Sequence, residues 1–115
     1  MKIREQLLQR RRTHIVTLQQ ELARLVKESV ALGVQRIVLF GSMAREEAGL
    51  FSDLDLLIVW DTPLSFLERT VALYRALQPQ VAVDLLVYTP AEMIRMKNRP
   101  FIHHVLEQGE VLYAN

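Results

Sequence analysis

The chain has 115 residues, half of them apolar and 23% charged, with 14 basic and 13 acidic side chains and no cysteine. That length favours one domain, residues 1–115, around a single core; the near-balanced charge gives no general electrostatic case for direct nucleic-acid binding. Disulfides, thiolate metal sites and cysteine nucleophiles are excluded. No apolar run approaches the ~20 residues of a membrane span. The N-terminus lacks the apolar core of a signal peptide, so a cytoplasmic protein with no membrane partner is expected.

The first element reads as a long helix over about 3–32. Ile15, Leu18, Leu22, Leu25, Val26 and Leu32 recur at three- and four-residue steps, with Glu21, Arg24, Lys27 and Glu28 between them, and Gly33 as the stop. Arg10-Arg11-Arg12 near its start reads as a solvated face. Gln35 to Phe40 is a short strand ending at Gly41-Ser42. Met43 to Ala48 has the composition for one or two helical turns with Ser42 as N-cap. A second strand follows from Leu54 to Trp60, with Leu54, Leu56, Ile58 and Trp60 on the core face. Asp61 belongs to the turn that follows.

Thr62-Pro63 is read as the opening of the next helix, with Thr62 the N-cap and Leu64, Leu67, Val71 and Tyr74 its buried stripe, widened by Phe66, Leu73 and Leu77. Val81 to Tyr88 forms a third strand, apolar except at Asp84. Thr89 and Glu92 supply a capping box for a helix running to about Lys97, and Pro100 starts a last helix that stops at Gly109. Val111-Leu112-Tyr113 suits an edge strand or packed tail. The fold class is therefore α/β with α+β character: a small mixed sheet flanked by helices. The catalytic core spans about 35–92 and the C-terminal helices about 90–109. A full helix between the second and third strands implies a parallel pair; the shorter link between the first and second suits an antiparallel one.

Asp53 and Asp55, spaced i, i+2 at the start of a strand, send both carboxylates to one face. Adjacent carboxylates are costly to desolvate unless a cation neutralises them, and hard oxygen ligands suit Mg²⁺ with phosphate oxygens. Gly41-Ser42 offers free backbone N–H groups as a phosphate cradle. An antiparallel first pair brings that turn beside the aspartates. A parallel second pair brings Asp84, an expensive residue inside V-A-V-D-L-L-V-Y, to the same edge. Three carboxylates and a phosphate turn fit a two-metal displacement at phosphorus.

The stretch G-S-M-A-R-E-E-A-G-L-F-S-D-L-D-L-L-I-V, followed by V-D-L-L-V-Y-T-P-A-E, resembles the signature of the nucleotidyltransferase superfamily that includes the DNA polymerase beta-like enzymes. In particular it resembles the minimal nucleotidyltransferases of HEPN/MNT toxin–antitoxin modules. The resemblance covers roughly Ile37 to Glu92. It implies the nucleotidyltransferase fold, a triphosphate (expected to be ATP) on Gly41 and Ser42, and Arg45 near phosphate. It also implies two Mg²⁺ ions on Asp53, Asp55 and Asp84, the catalytic carboxylates, and a HEPN-domain toxin that receives AMP on a hydroxyl. The chain departs from the pattern at Glu46, where many relatives carry glycine. Two other functions remain open: an antitoxin acting by occlusion, and transfer to a small molecule such as an aminoglycoside. His103-His104, adjacent on a helix, read as surface residues and not as a metal pair; Trp60, Tyr88 and Tyr113 read as packing residues.

Overall fold

The structure, a computed structural model, describes residues 2–115. Its elements run α1 (Ile3–Ala31), β1 (Arg36–Phe40), β2 (Leu54–Val59), α2 (Phe66–Leu77), β3 (Val83–Tyr88), α3 (Pro90–Met96), α4 (Pro100–Gln108) and β4 (Glu110–Ala114). The sheet order is β3-β2-β1-β4. β1 pairs antiparallel with both β2 and β4, and β2 pairs parallel with β3. The mixed sheet is as the sequence implies, because a helix-length link permits a parallel return and the 13-residue link of 41–53 does not require one; of the two alternatives for the C-terminal segment, the edge strand forms.

The sheet is packed on both faces. On one, Ile37, Leu39, Leu54, Leu56, Ile58, Leu85 and Val87 meet Leu18 and Leu25 of α1 and Leu73 and Leu77 of α2. On the other, Val38, Leu57 and Val59 meet Ile102 and Val105 of α4. The carboxylates are thus confined to one end of a face that is otherwise covered. The sequence expectation of a single core face is corrected here: Leu57 and Val59 share the parity of Asp55, and α4 supplies the apolar cover they need.

Two helices differ from the sequence reading. Met43 to Ala48 forms no α-helix; Arg45 N donates to the Gly41 carbonyl and Glu47 N to that of Ser42, and the turn is then broken by Glu46 at φ +59°. α2 starts later than Thr62-Pro63 suggests, since Ser65 accepts from Glu68 N and Glu68 returns the bond to Ser65 N. Thr62 instead accepts from Leu64 N in the preceding turn.

The face of α2 is also rotated. Leu67 is 71% exposed and Val71 36%, while Arg69, Leu73 and Leu77 point inward. The reason is polar. Arg69 donates to the Val87 carbonyl and pairs with Glu92, the residue that also caps α3 through Thr89. A buried guanidinium must have these partners, so they fix the rotation of the helix more tightly than an exchange of leucines could.

Glu21 is buried for a similar reason. It pairs with Arg24 and accepts from Gln80 N, while Arg24 donates to the Leu77 carbonyl at 3.0 Å, joining α1 to the end of α2. The Arg24 guanidinium holds the Glu21 carboxyl below the usual carboxylate range. No helix of the described residues is long and apolar enough to cross a membrane.

Candidate active site

Phe40 closes β1 opposite Asp55, and Asp55 stands opposite Asp84, so the three residues form one row across β1, β2 and β3. Asp53 lies two residues before Asp55, at the entry to β2, and Gly41 directly follows Phe40. The row holds two of the three carboxylates singled out in the sequence, and the third, Asp53, lies at its end close enough for its charge to act on Asp55. Asp84 is exposed on β3, while Asp53 and Asp55 are half-buried.

Gly41 is required where it stands. Its φ is +76°, and a Cβ there would come within 2.2 Å of Oδ2 of Asp55. Only a residue without a side chain lets the turn and this carboxylate approach so closely. Ser42 is not a helix cap; its hydroxyl donates to Ser52 Oγ at 3.1 Å. Arg45 is exposed and pairs with Glu47 at 3.0 Å.

The electrostatics are those of crowded like charges. The Asp55 carboxyl is pushed up to about 6, first by burial, then by the charges of Asp53 and Asp84, with Arg45 offsetting part of the rise. Arg45 is therefore close enough to be felt at the row even while its guanidinium holds Glu47.

Two cavities flank the row and share the edge-to-face pair Phe40 and Phe101, whose ring centroids are 6.0 Å apart. One, of about 260 Å³, lies between Gly41 and Arg45 of the turn and His104 and Gln108 of α4. The other, of about 390 Å³, extends from Asp55 and Asp84 past Leu86 to Thr70 and Tyr74 of α2. The free edge of β3 carries one hydroxyl: that of Tyr74 donates to the Val83 carbonyl and accepts from Leu85 N.

Several residues bond into this region although the sequence reading gives them no role there. Arg11, read there as solvated, donates from Nε to the Ala48 carbonyl at 3.0 Å. His14 donates from Nε2 to the Ser52 carbonyl at 2.7 Å, and Ser52 Oγ accepts from Gly49 N. Their only sequence signal is an i, i+3 spacing on one helix face, which says nothing of a loop over thirty residues away. His103 pairs with Glu107 at 3.0 Å on the exposed side of α4, which agrees with a surface role.

The donor chemistry fits a hard divalent cation: every side chain of the row that could ligate is a carboxylate, and their mutual repulsion is what a cation would relieve. Gathered is not closed, however. Among the described residues no group of three or more His, Cys, Asp or Glu side chains is arranged to hold a metal ion as it stands.

Repelling carboxylates next to a glycine-only turn form an arrangement suited to cations and a polyanion together. The model of the nucleotidyltransferase domain family matches residues 17–108. A crystal structure from Sulfolobus solfataricus, provisionally described as a nucleotidyltransferase, aligns with a TM-score of 0.64 at 19% identity, covering 88% of this chain and 84% of that one. No curated protein matches. The chain belongs to the nucleotidyltransferase domain family, and its activity class is transfer of a nucleotidyl group.

Proposed function

We propose that the chain moves a nucleoside monophosphate, AMP from ATP, onto a hydroxyl of a partner protein. The row Phe40–Asp55–Asp84 with Gly41 at its end is the observation that carries this reading. Gly41 and Ser42 would bind the triphosphate through backbone N–H groups, with Arg45 released from Glu47 to meet phosphate. Asp53, Asp55 and Asp84 would hold two Mg²⁺ ions, which when bound neutralise the charge on the entering and leaving oxygens.

On this reading the order of the row gives a direction of attack. With the pyrophosphate end at the β1 turn, an in-line acceptor comes from the β3 side, where the larger cavity lies. The acceptor oxygen bonds to the α-phosphorus as the bond to the pyrophosphate oxygen breaks. The hydroxyl proton passes to a carboxylate of the row, and Asp84 is the one on that side.

The partner we propose is a HEPN-domain toxin, with this chain as its antitoxin; its support is the resemblance of the Gly41 to Glu92 segment to the minimal nucleotidyltransferases. Incubation with labelled ATP, Mg²⁺ and the product of the adjacent gene tests it. Asp53→Asn with Asp84→Asn should abolish label transfer and leave the circular dichroism unchanged; an active double variant excludes the site. A second reading, neutralisation by occlusion, draws on the groove along α2 where Leu64, Leu67 and Val71 lie beside Glu68 and Arg75. It predicts that the triple Asp→Asn protein still neutralises the partner.

A further inference from the structure

The segment from Ser42 to Asp53 carries the residues that matter and no regular secondary structure. Such a segment has many conformations open to it, and a site built on it needs something rigid to hold it. Two of its carbonyls are held from outside, both by α1: Ala48 by Arg11 and Ser52 by His14. The second bond acts directly on the site. A peptide unit is planar, so fixing the Ser52 carbonyl also fixes the N–H of Asp53 and the direction in which that residue leaves the loop.

From Ser52 the connection continues. Its hydroxyl accepts from Gly49 N at 2.8 Å and from the Ser42 hydroxyl at 3.1 Å. Hydrogen bonds thus run from α1 through Ser52 to the turn on one side, and the Ser52–Asp53 peptide unit carries the constraint to Asp53 on the other.

These bonds are not by-products of core packing. The buried residues of α1 begin at Leu18, and Ile3 to Thr13 are exposed throughout. A helix needed only for the core could start near residue 14. Arg11 and His14 extend its use to the loop.

We infer that Arg11 and His14 are positioning residues for the nucleotide: they act through Ser52 to hold the Gly41-Ser42 turn and Asp53 in the arrangement that receives a triphosphate. This rests on the reading of the turn and row as the nucleotide site. Neither residue touches the row itself, so neither is catalytic.

The test uses the full chain with Mg-ATP as the probe. Amide hydrogen exchange is followed at Gly49 and Ser52, and the dissociation constant for Mg-ATP is measured by calorimetry. The Arg11→Ala, His14→Ala double variant should exchange faster at both amides and bind Mg-ATP more weakly by about tenfold. Arg11→Lys with His14→Gln, which keeps N–H donors at similar reach, should recover most of both. Leu8→Ala, on the same exposed half of α1, should change neither.

Unchanged exchange in the double variant overturns the inference, as does faster exchange with unchanged affinity in a chain that binds. A wild-type chain that shows no affinity for Mg-ATP overturns the nucleotide reading and the inference with it. The exchange arm needs no nucleotide, so the two failures are told apart.

Discussion

Asp55 and Asp84 are register partners on adjacent parallel strands, so a second carboxyl stands beside Asp55, where burial already disfavours charge. The arrangement stores a cost in the ligand-free protein that a cation would relieve.

That cost has a pH dependence. The Asp55 carboxyl titrates near 6 in the folded state against an ordinary value of 3.8. Between those values the folded chain binds more protons than the unfolded one, so stability falls as pH rises and the full penalty is present above about 6. Asp55→Asn should therefore stabilise the ligand-free protein by about 1–2 kcal/mol at pH 7.5, discounted for partial solvent exposure, and do little near pH 4. Thermal melts at the two pH values check this. In the wild type, stabilisation by Mg-ATP should be larger at pH 7.5 than at pH 5.

Gly41→Ala should fail differently. A Cβ would meet Oδ2 of Asp55 at 2.2 Å and the backbone sits at φ +76°, so the turn or the carboxylate must move. A loss of about 1–3 kcal/mol in stability is expected, together with loss of nucleotide binding. Calorimetry with Mg-ATP at a temperature where the variant is folded separates the two effects.

Glu46 holds a left-handed conformation, φ +59°, that costs a side-chain-bearing residue about 1 kcal/mol. Glu46→Gly should raise the melting temperature and, by removing a negative charge beside the turn, tighten Mg-ATP binding by a few-fold. Denaturant titration and calorimetry are the measurements. A melting temperature below that of the wild type would contradict the strain argument.

Arg69 and Glu92 make the stability of the fold acid-sensitive. The Arg69 guanidinium holds the Glu92 carboxyl down to about 2 from 4.5. A depressed carboxylate contributes stability that is complete above about 4.5 and is lost as pH falls toward 2. Glu92→Gln should cost about 3 kcal/mol at pH 7, since it leaves a buried guanidinium without its counter-charge. The gap from wild type should narrow at pH 3, as chemical denaturation at both pH values will show.

Much of this protein is legible in its sequence because the signals are local. The capping box of Thr89 and Glu92, the positive φ of Gly33 and the alternation around Asp55 each follow from a few consecutive residues. Strand directions followed from link lengths; that β3 lies beside β2, which sets Asp84 next to Asp55, was a condition the structure meets. What the sequence could not decide was which competing local pattern would win. Both faces of α2 are apolar enough to be buried, and the choice fell to Arg69 because its partners, Val87 and Glu92, lie on two other elements, β3 and α3. The same holds for Arg11 and His14, whose hydrogen bonds exist only once a distant loop is folded against α1. Short-range geometry is written in neighbouring residues; the satisfaction of a buried or long-range polar group is a property of the whole fold.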